Sequence, residues 1–104
     1  MKAISDKENI AKRIAAFGNL DLVVLSGMFV DKETPIDLLL VGDIDRRQLE
    51  DFFAHELESK RPVRFSIMGK EEYLYRRKCK DRFISDILED PDNIVSINKL
   101  EKEL

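Results

Sequence analysis

The stretch "IDLLLVG", residues 36–42, limits what this chain can fold into more than any other. Its apolar side chains are consecutive rather than alternating, so both faces of the segment ask for cover. A short run of this kind reads as a central strand with packing on each side. A strand so covered needs helices above and below it, and the rest of the sequence supplies them. In residues 6–17, Ile10, Ile14 and Phe17 recur at helical spacing, and Gly18-Asn19 is expected to stop that helix in a left-handed turn. "DLVVLS", 21–26, is rich in β-branched and aliphatic residues and reads as a strand.

Asp45, with Gln48 three residues on, has the form of a capping box and opens a helix. Leu49, Phe52, Phe53 and Leu57 would be its buried stripe, with Glu56 reaching out to water. Residues 62–68, "PVRFSIM", alternate and read as a half-exposed strand nearer an edge. Two short helices follow, 70–78 and 80–89, the second with Phe83, Ile84, Ile87 and Leu88 on one face. Asp90-Pro91-Asp92 is a turn, residues 94–97 a last short strand, and "LEKEL" a charged tail. The first two strands are too closely connected for a crossover and should be antiparallel. The strand–helix–strand unit over 36–68 should be a right-handed crossover with parallel strands. The expected fold class is α/β (α+β), a small mixed sheet of three to four strands packed with about four helices, over one domain spanning residues 1–104.

Several function classes lose ground on composition. Residues 38–41 form a longest apolar run far short of the ~20 residues that span a bilayer, and the N-terminus lacks the apolar core of a secretory signal. No membrane partner is expected. A single cysteine, Cys79, forms no internal disulfide, which fits a cytoplasmic setting. Cys79 lies among basic residues that would favour a reactive thiolate, but a partly buried structural thiol is the preferred reading. One cysteine and one histidine also argue against a zinc site. His55 falls opposite the buried stripe and reads as a surface residue. Asp43 and Asp45 flank a helix start and read as caps.

Charge is uneven. Residues 60–82 hold nine basic side chains against three acidic ones, so this segment is near +6 and the remainder near −9. Arg64, Arg76, Arg77, Lys78, Lys80 and Arg82 are the candidates for binding nucleic acid or an acidic partner. Tyr73, Tyr75 and Phe83 interleave with them, a mixture that can stack on single-stranded nucleic acid. The same mixture describes a pair of amphipathic helices with a charged outer face.

The order of elements, the "SG" turn after the first strand, and "PIDLLLVGD" on the second together resemble the minimal nucleotidyltransferase fold of the DNA polymerase beta superfamily. "RPVRFSIMGKEEYLYRRKCKDRFISDILEDP" is similar to that family's closing strand and helices. The nearest likeness is to the nucleotidyltransferase-like module at the C-terminal end of small prokaryotic regulators, which often carries a degraded catalytic triplet. The resemblance implies a Gly-Ser turn that cradles a triphosphate, here Ser26 and Gly27. It also implies a carboxylate–apolar–carboxylate pair plus a third carboxylate on a later strand, holding Mg²⁺ for in-line transfer at phosphorus. Asp37 matches the second carboxylate. Pro35 stands at the first, and residues 62–68 offer Arg64 and Ser66 at the third. Asp31 and Glu33 in the loop are poor substitutes.

The resemblance with two acids missing implies a non-catalytic interaction or ligand-sensing module in transcription regulation, with no cofactor. Ser26, Gly27 and Asp37 would be a relic of the site. Its partner would be another protein or a second copy of itself, because a small sheet leaves edges that need covering. One rival is an active transferase of nucleoside monophosphates using Asp37, a loop acid and Mg²⁺. Another is a nucleic-acid-binding module using residues 60–82.

Overall fold

Residues 38–41 are buried without exception, and this sets the layering. A computed structural model of the chain describes residues 2–3 and 7–100. The expected helix residue 6 and the tail residues 101–104 lie outside the described residues. The order is β1 (Lys2–Ala3), α1 (Lys7–Ala15), β2 (Gly18–Leu25), a 3₁₀ turn (Gly27–Val30), β3 (Leu38–Ile44), α2 (Arg46–His55), β4 (Leu57–Glu58), β5 (Phe65–Met68), α3 (Lys70–Lys78), α4 (Arg82–Glu89) and β6 (Ile94–Asn98). The main sheet runs β5-β3-β2-β6. β2 pairs antiparallel with β3 and with β6, and β3 pairs parallel with β5. Among the described residues the fold is thus a small mixed four-stranded sheet with four helices, and β1 and β4 form a separate parallel pair. None of its described helices is long and apolar enough to cross a membrane.

Each face of the sheet has its own core. Leu38, Leu40, Val23 and Leu25 pack with Ile10 and Ile14 of α1, Leu49 and Phe52 of α2, and Phe29 of the 3₁₀ turn. Leu39, Val41, Leu22 and Val24 pack with Tyr73 of α3 and Ile84 and Ile87 of α4. The alternation along β2 slips once. The register shifts between Leu20 and Leu22, so Asp21 is an extra residue, and Leu20 and Val23 share a face.

Several local expectations change. Gly18 does not end α1 in a left-handed turn; it begins β2 opposite Ile44. A Cβ there would lie 2.2 Å from the Asp43 carbonyl oxygen, so the glycine serves close strand approach. Leu57 leaves the α2 stripe and pairs through β4 with β1. Asp45 caps α2 as expected, its Oδ1 accepting from the N–H groups of Arg47 and Gln48 at 3.0 and 3.2 Å. Asp43 does not cap; it lies exposed on β3. Glu56 does reach the surface as expected, its side chain 45% exposed, and there Arg13 of α1 donates to both its oxygens at 2.6 Å. The same guanidinium lies over the rings of Phe17 and Phe52. Cys79 is exposed rather than partly buried, because it follows the last turn of α3.

Candidate functional site

The corner between β2 and β3 is built around one carboxylate. Strand β2 ends at Leu25, and the Ser26 N–H donates to the Asp37 carbonyl at 2.8 Å. Gly27 then turns with φ +48° into the 3₁₀ turn. A Cβ at Gly27 would stand 2.1 Å from Asp37 Oδ1, so only glycine fits both this backbone angle and the approach of the acid. Asp31, also left-handed, closes the turn, and the Lys32 N–H donates to the Gly27 carbonyl at 2.9 Å. The chain returns through Thr34 and Pro35 to Asp37, whose N–H donates to the Arg64 carbonyl at 2.7 Å. Asp37 is therefore clamped by its backbone between β2 and the approach to β5.

Its side chain is completely buried. Oδ1 accepts from the Met28 N–H at 2.9 Å and from Arg61 Nη2 at 2.8 Å. Oδ2 accepts from Arg61 Nη1 at 2.7 Å and from the Arg64 N–H at 2.9 Å. Four donors fill the roughly four acceptor positions of a carboxylate, and two come as the parallel fork of one guanidinium. The Arg64 side chain adds positive charge, its Nε standing 3.7 Å from Oδ2. Burial by itself pushes the Asp37 carboxyl up. The Arg61 guanidinium and the N–H groups of Arg64 and Met28 outweigh that and hold it below the ordinary carboxylate value. In turn Asp37 draws the Arg61 guanidinium up.

Ser26 and Gly27 thus do meet Asp37 at one corner, but the space a metal would take at the carboxylate holds Arg61. Pro35 lies exposed in the loop, and Asp37 sits one residue before β3 rather than on the strand as expected, because β3 begins at Leu38. Among the described residues no group of three or more histidine, cysteine, aspartate or glutamate side chains is placed to hold a metal ion. Beside the corner is a small cavity of about 140 Å³ between the loop and α4, lined in part by Ser26, Thr34, Ile36, Phe83, Asp86 and Asp90. Thr34 Oγ1 donates to the Ile36 carbonyl at 2.7 Å, which leaves it to accept from the buried Ser26 hydroxyl at 3.3 Å. Lys32 crosses the rim and is already paired with Asp90 and Asp92 at 2.9 and 3.0 Å. Aspartates on the wall and a neutralised lysine on the rim do not suit a triphosphate.

The basic candidates divide. Arg64 attends Asp37, and Arg76 pairs with Glu72 at 2.9 Å and stands 3.8 Å from Asp81. Arg77, Lys78, Lys80 and Arg82 are exposed around the α3–α4 junction, with no ion pair found among the described residues. Of the three interleaved aromatics only Tyr75 is well exposed, at 68%. Tyr73 is buried under the sheet and Phe83 packs at its margin, because both lie on the core faces of their helices. His55 is exposed, its Nδ1 3.1 Å from the Asp51 carbonyl.

The residue that sequence reasoning missed is Arg61. It was one positive charge among nine. A signal was present, however. A lone acid opening an apolar strand must find a cation once buried, and the parallel crossover returns the chain beside it just ahead of β5. No protein-family model, curated protein or solved structure matches the chain.

Proposed function

We propose that this chain is a non-catalytic nucleotidyltransferase-like domain that acts as an interaction or ligand-sensing module, with gene regulation as the setting the sequence resemblance implies. The observation that carries this reading is the state of Asp37. A catalytic carboxylate of that family has to offer oxygen lone pairs to Mg²⁺. Here all of them accept hydrogen bonds, and the nearest side chains are the two arginines Arg61 and Arg64. Recruiting a divalent cation would require expelling a bidentate guanidinium from a buried partner, and among the described residues no group of three or more histidine, cysteine, aspartate or glutamate side chains is placed to hold one. The corner serves instead as a staple joining β2, β3 and the approach to β5.

A thermal-shift titration with Mg²⁺ and each nucleoside triphosphate tests this. The expected melting temperature is unchanged by nucleotide with or without metal. A metal-dependent rise that disappears in Asp37→Asn would overturn the reading in favour of an active transferase.

A second reading is favoured by a separate observation. Arg77, Lys78, Lys80 and Arg82 are exposed at the end of α3 and the start of α4, and the Tyr75 ring on the last turn of α3 is exposed as well. That combination fits single-stranded nucleic acid, whose phosphates meet the cations and whose bases stack on the ring.

A further inference from the structure

The two edges of the sheet are not alike. At the β5 edge the Arg46 guanidinium lies 5.2 Å from the centre of the Phe65 ring, and Arg64 flanks the strand. Charged side chains of this sort discourage a further strand from adding. At the other edge β6, Ile94–Asn98, carries no charged side chain, in a chain of which 38% of residues are charged. Ile94 and Val95 are 36% and 48% exposed, and among the described residues β6 pairs with β2 on one side only.

Beside this edge runs a groove of about 480 Å³ between β6 and α1, lined by Glu8, Ala11, Lys12, Ala15, Ile94 and Ser96 among others. The two alanines leave a hollow along the helix, and Ile94 is an apolar side chain at its border. Glu8 and Lys12 stand one helical turn apart on the rim, both exposed.

We infer that this face is where two copies of the chain associate about a twofold axis, with β6 antiparallel to its counterpart and Ile94 of each copy over the Ala11–Ala15 hollow of the other. Three features favour a second copy over another partner. An open strand edge is its own complement when turned antiparallel. Hollow and apolar knob occur on the same patch, as an isologous interface requires. A rim with one acid and one base is complementary to itself under a twofold rotation, whereas a rim of one sign would repel its copy. Among the described residues that line the groove, a polyanion finds one cation, Lys12, next to an acid, Glu8.

The β2–β6 register shifts between Val23 and Val24, which makes Ser96 an extra residue on β6. The regular edge therefore centres on Ile94 and Val95, and packing in the groove carries more of the association than the added ladder. The interface lies on the α1 side, away from the α3–α4 basic corner, and does not depend on the functional reading above.

Sedimentation velocity over a concentration series tests the inference. For the unaltered chain the mass should rise with concentration from that of one chain towards two. Ile94→Lys should weaken association by more than about tenfold, with circular dichroism showing the fold intact. Glu8→Lys and Lys12→Glu should each weaken association, and an equimolar mixture of the two should restore it. This exchange stands even if Ile94→Lys fails to fold, since both residues are exposed on α1. A chain that keeps the mass of one copy up to its solubility limit would overturn the inference. So would association indifferent to Ile94→Lys, or a mixture no better than the single variants. None of these outcomes bears on the metal and nucleotide titration.

Discussion

Of the four donors that hold the Asp37 carboxylate, two belong to a side chain and two to the backbone, and they fail differently when removed. Asp37→Ala leaves the N–H groups of Met28 and Arg64 without an acceptor in a buried place. Each such orphan costs about 1–3 kcal/mol, so the variant should lose about 2–6 kcal/mol in urea denaturation. That is a large part of a domain stability of about 5–15 kcal/mol. Arg61→Met keeps the carboxylate and removes its cation, and here pH is the informative axis. Burial raises the Asp37 carboxyl, and Arg61 with the two N–H groups lowers it further than burial raises it. With the folded value depressed, Asp37 contributes stability that is complete above the unfolded value of about 3.9 and is lost as pH falls through the folded value. In Arg61→Met the largest lowering influence is gone while burial remains, so the folded carboxyl moves up and the stability that Asp37 contributes above the unfolded value shrinks. The variant should be less stable than the unaltered chain near pH 7, and the gap should narrow on acidification. Urea midpoints measured from about pH 3 to 7 would show this. A gap independent of pH would mean that Arg61 contributes packing and not charge.

At the level of elements, periodic apolar positions fixed what could be read. The central place of residues 36–42, the parallel pairing of β3 with β5 and the antiparallel start all follow from run length and loop length. Both cores follow as well, because Leu38–Leu40 and Leu39–Val41 point to opposite faces. The sequence did not disclose contacts joining residues far apart in the chain. Arg61 to Asp37, Arg13 to Glu56 and Lys32 to Asp90 span 24, 43 and 58 positions, and no local pattern encodes them. Element ends were also hard to place where a residue departs from its usual habit. Lys80 is one, with φ +56°. It ends α3 in a Schellman arrangement, the Asp81 N–H donating to the Arg76 carbonyl at 2.9 Å and the Lys80 N–H to the Arg77 carbonyl at 3.1 Å. Glycine is the usual residue at that position, so the expected helix start at 80 gives way to a cap at Asp81, which accepts from the Ile84 N–H. The left-handed conformation costs an L-residue about 1–2 kcal/mol, while a cation at a helix C-terminus returns about 0.3–1 kcal/mol. Lys80→Gly should therefore stabilise the domain slightly, by about 0.5 kcal/mol, as a small rise in melting temperature. A fall would show that the lysine makes a contact that outweighs its backbone strain.

For the whole molecule, the formal charge of a segment and the charge it can offer a partner are different quantities. Residues 60–82 are near +6 by count, yet Arg61 is bound to Asp37 and Arg76 to Glu72. The exposed cations that lie together are Arg77, Lys78, Lys80 and Arg82 at the end of α3 and the start of α4, set on a chain with a net charge of −3. The field that could steer a polyanion is therefore local and easily screened. If this corner binds single-stranded nucleic acid, four phosphate contacts give a slope of about −3 for log affinity against log salt. Arg77→Ala should weaken binding and reduce that slope by about 1. Arg76→Ala should change it little, because its guanidinium already has acidic partners. Tyr75→Ala should weaken binding by about 1–3 kcal/mol at any salt concentration, because stacking releases no counterions. Fluorescence anisotropy with a labelled oligonucleotide at several salt concentrations separates these effects. Equal losses from Arg76→Ala and Arg77→Ala would mean that the Glu72 pair opens on binding and that the counted charge, rather than the free charge, is what the partner meets. Absent or salt-independent binding would assign the basic corner to an acidic protein surface or to solvent.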